Sequence, residues 1–200
     1  MTLVAGVVGV QGDVSEHADA IRRAGTAHGE DVVVHEIRQS GTVADCDVLL
    51  LPGGESTAIS RLLHEEGIAE EILAHAEAGK PLLATCAGLI VASRDAKDDR
   101  VDELGLLDVS VNRNAFGRQK DSFEALLDVD GLEESFPAVF IRAPAIDDVG
   151  GDVEVLATVD GNPVAVRQGA IVGTSFHPEL TTDSRIHDLA FFDTVALDAA

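Results

Sequence analysis

Short runs at 3–10 (LVAGVVGV), 31–37 (DVVVHEI), 47–51 (DVLLL) and 81–85 (PLLAT) are rich in aliphatic residues, with few polar positions among them. Such runs read as strands buried on both faces, the pattern of a parallel sheet. Between them the period changes. Residues 14–25 (VSEHADAIRRAG) have helical spacing closed by Gly25, and a helix after PGGEST takes Ser56 or Thr57 as its N-cap. Gly67 breaks that helix, and a further helical stretch runs to Gly79. PLLAT ends at Cys86, with helical AGLIVAS behind it.

The second half reads differently. Residues 153–176 (VEVLATVDGNPVAVRQGAIVGTSF) predict a meander of short strands, turning at Asp160-Gly161-Asn162 and at Gln168-Gly169. A last helix is predicted over about 184–197, and 94–103 (RDAKDDRVDE) is a charged loop. Strands alternating with helices give an α/β fold: a three-layer open, mostly parallel sheet, helices on both faces, and an antiparallel meander in the C-terminal half. With no repeat and no linker, residues 1–200 are expected to form one domain.

Composition changes this picture in one respect. Asp and Glu number 36 against 14 Lys and Arg, a formal net charge of -22, and Lys80, Lys97 and Lys120 are the only lysines. A field of that sign repels nucleic acid and anionic membranes, so neither is an expected partner. The acids are spread along the chain, which points to adaptation to a salt-rich cytoplasm, where counterions screen self-repulsion. No apolar stretch is long enough for a membrane span, and the first run lacks a basic n-region. Two cysteines, Cys46 and Cys86, fit a reducing, cytoplasmic setting.

Ligands of open α/β sheets collect beyond the carboxyl ends of the strands. Three such ends carry unusual residues: PGGEST after VLLL, Cys86 after PLLAT, and His177-Pro178-Glu179 after AIVGTSF. Strand, sharp turn and helix form the elbow that exposes a nucleophile at a helix N-terminus. Buried packing is the competing reading of Cys86, and the expected role of Cys46. His177 and Glu179, two apart in an extended segment, project to one side, so Glu179 can hold one ring nitrogen while the other serves a nucleophile. A metal site drawing on His177, Glu179 and His187 or Cys86 is a second reading, without a tight ligand motif behind it. PGGEST lacks the Gly-Lys-Ser/Thr of a P-loop, but its paired glycines can present N–H groups to an oxyanion. His17, His28, His35, His64 and His75 are read as surface or packing residues.

Cys86, His177 and Glu179 in that order resemble the triad of class I glutamine amidotransferases. VGVQGDVSEH (8–17), LPGGESTAISRLL (51–63), TCAGLI (85–90), NRNAFGRQKDSFEA (112–125), VFIRAPAI (139–146) and TSFHPELTTDSRIH (174–187) are similar to the glutaminase subunits of pyridoxal 5′-phosphate synthase, the PdxT family. The resemblance implies hydrolysis of L-glutamine to glutamate and ammonia, without a cofactor or metal. The ammonia would pass to a separate synthase (lyase) subunit in a hetero-oligomer, for vitamin B6 biosynthesis. It implies Cys86 as nucleophile, His177 as base and Glu179 as its orienting acid. Gly54, Glu55, Ser56, Arg113, Ile141 and Arg142 match glutamine-binding positions, and Gly54 and Ala87 would form the oxyanion hole. Gln11 would lie at the synthase interface and help organise that hole. Ala84 stands where the family usually has glycine, and Ala145 where histidine commonly follows FIRAP.

Two rival readings accompany it: a cysteine hydrolase of similar fold acting without a partner, and a silent regulatory subunit of a synthase.

Overall fold

A computed structural model describes residues 2–12, 14–113 and 122–192. Its centre is a seven-stranded sheet in the order Glu154–Val159, Asn162–Gln168, Ile171–Thr174, Leu82–Thr85, Val48–Leu51, Thr2–Val8, Asp31–Ile37. The parallel part comprises β1 (Thr2–Val8), β2 (Asp31–Ile37), β3 (Val48–Leu51), β4 (Leu82–Thr85) and β12 (Ile171–Thr174). β3, β4 and β12 are buried along their whole length, so their aliphatic residues fill both faces. β10 (Glu154–Val159) and β11 (Asn162–Gln168) complete the sheet as the antiparallel meander. Its turns use Asp160, Gly161 and Gly169 at positive φ, as expected.

The sheet separates two cores. On one side lie α2 (Ser56–Glu65), α3 (Ala69–Glu77) and α4 (Ala87–Ala92), with a small sheet of β5 (Ser93–Asp95), β6 (Leu107–Asn112) and β9 (Ala145–Val149). On the other lie α1 (Val14–Ala27), α5 (Arg185–Phe191) and the hairpin of β7 (Ser122–Leu127) and β8 (Phe136–Ile141). Phe136, Phe140 and Phe176 pack together at 5.5–5.8 Å there. Among the described residues no helix is long and apolar enough to cross a membrane.

Several local expectations are corrected. Gly25 does not close α1. A β-carbon there would come within 2.2 Å of Val32 Cγ2, so this glycine lets the helix press on β2, and Gly29 makes the turn at φ +71°. The N-cap of α2 is Glu55, whose carboxylate accepts from the Thr57 and Ala58 N–H groups. The segment after His177 is a turn of 3-10 helix, Pro178–Leu180, rather than extended chain. The loop at 94–103 is strand as far as Asp95. The predicted last helix is seen as Arg185–Phe191 with Ser184 and Phe192 as its caps, and the rest of its predicted span falls outside the described residues.

Candidate active site

Cys86 is the hinge between β4 and α4. Its φ of 50° and ψ of -108° form a strained turn for a residue with a β-carbon. Neighbouring backbone enforces it: Cys86 N–H donates to Thr174 O at 2.8 Å, fixing the end of β4 against the end of β12. Gly88 allows the helix to start there, since a β-carbon at that position would lie 2.0 Å from Leu51 O. Ala84 is fully buried and pairs in register with Gly173, so its extra methyl lies beside the strand position that has no side chain.

The same pairing delivers His177. Its N–H donates to Val139 O of β8 at 2.9 Å, and its ring comes beside Gly53, where an added β-carbon would meet His177 Cε1 at 2.8 Å and Cys86 Cβ at 3.3 Å. The 3-10 turn still brings Glu179 under the imidazole, with Nδ1 2.7 Å from Glu179 Oε1. Burial alone would lower the His177 pKa, but hydrogen bonding to Cys86 and Glu179 pushes it up to about 10. Burial would likewise push the Glu179 carboxyl up. The imidazoles of His17 and His177 outweigh it and hold Glu179 well below the usual carboxylate range. The arrangement can hold a charged imidazole beside a thiolate, the state in which a cysteine attacks a carbonyl carbon.

In front of the triad lies a cleft of about 440 Å³ lined by Gln11, Gly54, Glu55, Ser56, Cys86, Ala87, Ile90, Arg113, Ile141, Arg142, His177 and Leu180. Each residue predicted for the site lines it except Glu179, which is buried behind His177. Arg113 already bridges two carboxylates, Asp98 Oδ2 at 2.6 Å and Glu55 Oε1 at 3.0 Å. Arg142, at φ 43°, forms no ion pair among the described residues. Ser56 Oγ is buried without a hydrogen-bond partner there. Gln11 Oε1 accepts from Glu55 N–H at 2.7 Å and occupies the space beside Gly54, where an added β-carbon would be 2.2 Å away. Residues 114–121 of the NRNAFGRQKDSFEA segment lie outside the described residues.

His17 was missed. Read as a surface or packing residue, it is completely buried on α1, with Nε2 3.4 Å from Glu179 Oε1 and 3.2 Å from Thr85 Oγ1. Its signals in the sequence are a position on the inner face of an amphipathic helix and the end of the VGVQGDVSEH segment, and neither reveals a partner 162 residues away. Among the described residues no group of three or more His, Cys, Asp or Glu could hold a metal ion. Cys46 is also fully buried; a β-carbon on Gly6 would be 2.8 Å from its sulfur.

Comparison with known proteins gives a consistent result. The SNO glutamine amidotransferase family matches residues 7–196. The pyridoxal 5′-phosphate synthase subunit PdxT of Haloarcula marismortui is 75% identical over 195 residues, 98% of this chain and 99% of the relative. That of Natronomonas pharaonis is 75% identical over 190 residues, 95% of this chain and 99% of the relative. A solved structure described as a glutamine amidotransferase superposes with a TM-score of 0.82 at 42% identity, covering 93% of this chain and 96% of the other.

Proposed function

The chain belongs to the SNO glutamine amidotransferase family, and from that membership we propose that it is a glutaminase, releasing ammonia from L-glutamine for a pyridoxal 5′-phosphate synthase subunit in a cytoplasmic hetero-oligomer. The observation that carries this reading is the meeting of Cys86 and His177 at Gly53, with Glu179 2.7 Å behind the imidazole and a substrate-sized cleft in front. Two unpaired cysteines support a reducing compartment. The -22 net charge, shared context with relatives from halophilic archaea, supports a salt-rich one.

The Cys86 thiolate attacks the carboxamide carbon, and the carbonyl oxygen takes the negative charge. The Ala87 N–H, first in its helix, and the Gly54 backbone both line the cleft and would be the donors for that charge. As the C–N bond breaks, His177 gives its proton to the nitrogen, ammonia leaves and a thioester remains. His177 then takes a proton from water as the water attacks the thioester, and glutamate departs. Glu179 holds Nδ1 throughout, leaving Nε2 for the thiol and the water.

Arg142, which forms no ion pair among the described residues, is the cation of the cleft lining available to the substrate carboxylate. Arg113 acts from its bridge to Glu55 and Asp98, shaping the cleft wall, and Ser56 Oγ has hydrogen-bonding capacity to offer. Gln11, exposed and accepting from Glu55 N–H beside Gly54, would lie at the synthase interface and help organise the oxyanion hole.

A glutamine analogue with an electrophilic carbon in place of the carboxamide tests the assignment. Mass spectrometry should find one adduct, at Cys86, suppressed by excess glutamine. An adduct at Cys46, or labelling that glutamine does not suppress, would overturn it.

A further inference from the structure

Behind the triad the chain buries more polar chemistry than three residues require. Glu179 has 1% of its side chain exposed and His17 none, yet both are polar and in contact. A carboxylate oxygen can only accept, so Nδ1 of His177, 2.7 Å from Glu179 Oε1, carries hydrogen, and Nε2 of His17 lies 3.4 Å from the same oxygen. The other oxygen, Oε2, has no hydrogen-bond partner among the described residues. Glu179 is therefore held by one atom, between two imidazoles. The His17 nitrogen also faces Thr85 Oγ1, a fully buried hydroxyl on the residue before Cys86.

We propose that His17 is a positioning residue of the relay: its Nε2–H, shared between Glu179 Oε1 and Thr85 Oγ1, holds the carboxylate on His177 and ties it to the strand that carries the nucleophile. This rests on the glutaminase reading of the triad and extends it by one layer. α1 packs on the 3-10 turn of Glu179, so His17 links two elements that the chain brings together only on folding. Without it, the Glu179 carboxylate would keep a single donor in a site closed to water, and would be free to swing Oε1 away from His177.

The groups facing this pair are known. His177 and Cys86 lie on the cleft side, Glu16 on α1, and His187 on α5, with Arg23 of α1 acting on His187. The His187 ring centroid is 6.3 Å from that of His17. Burial is the main cause that takes the His187 pKa down to about 3, so it remains neutral and acts as a wall rather than a second donor.

The test compares His17→Leu and His17→Gln with wild type in the assembled complex with the synthase subunit. Glutamine supplies a donating amide near the position of Nε2, whereas leucine supplies none. His17→Leu should lower kcat by about 10- to 100-fold, the rate equivalent of one hydrogen bond to a charged group, with KM for glutamine little changed. The acid limb of its pH profile should move to higher pH, because Glu179 becomes easier to protonate. His17→Gln should recover most of the rate and the original limb. Alkylation of Cys86 by iodoacetamide, followed by mass spectrometry, reads the same relay without glutamine turnover. It should slow in His17→Leu at neutral pH and recover in His17→Gln.

If folded His17→Leu keeps wild-type kcat, pH limb and alkylation rate, the inference is wrong. If Leu and Gln lose activity equally with an unmoved pH limb, His17 only packs, and the inference is again wrong. If wild type alkylates as described but releases no ammonia in the complex, the glutaminase reading fails while the relay stands.

Discussion

Gly53 lies against both reacting groups: a β-carbon added there would be 2.8 Å from His177 Cε1 and 3.3 Å from Cys86 Cβ. Gly53→Ala should therefore displace the imidazole without disturbing the cores. The expected outcome is a loss of kcat on the order of 100-fold, the usual effect of an ångström-scale misplacement, with a thermal midpoint close to wild type. Steady-state kinetics and a melting curve on the same sample check it. The two cysteines make a sharper contrast. Cys86→Ala should abolish ammonia release, whereas Cys46→Ser, at a buried site remote from the cleft, should retain it with some loss of stability.

At the scale of elements, Glu55 joins fold and site. It caps α2 through the Thr57 and Ala58 N–H groups, and it holds Arg113 at 3.0 Å. Hydrogen bonding to the Thr57 side chain is the main cause that lowers its pKa. Glu55→Ala should cost about 1 kcal/mol of stability from the lost cap. It should also raise KM for glutamine, because Arg113 loses one of its two anchors; urea unfolding and kinetics separate the two effects. The cap also marks how far sequence could be read. Ser56 and Thr57 are the residue types that cap helices most often, but the helix begins one residue earlier, with the Glu55 carboxylate accepting from the Thr57 and Ala58 N–H groups and also paired with Arg113. Likewise the strands, the meander and the Cys86 elbow were legible because period and turn residues are local properties. So was the His177–Glu179 pair, although the 3-10 turn that joins it was not. His17 was not legible, since its meaning comes from Glu179 and Thr85, which reach it only through tertiary contact.

The molecule as a whole carries a charge of -22. Raising KCl from about 0.1 M to about 1 M shortens the screening length from about 10 Å to about 3 Å, so the melting temperature should rise with salt. Its pH dependence follows from two buried histidines. His177 is raised from 6.5 to about 10, so its contribution is complete below pH 6.5 and is lost as pH climbs through 10. His187 is lowered from 6.5 to about 3, so its contribution is complete above pH 6.5 and is lost as pH falls through 3. Thermal melts should peak near pH 6.5, with the alkaline limb flattened in His177→Gln. The most direct test of the central claim is glutamine-dependent ammonia release at high KCl by the complex with the cognate synthase subunit, wild type against Cys86→Ala. The account predicts release that the substitution eliminates. Equal release from both proteins, or none from a verified wild-type complex, would contradict it.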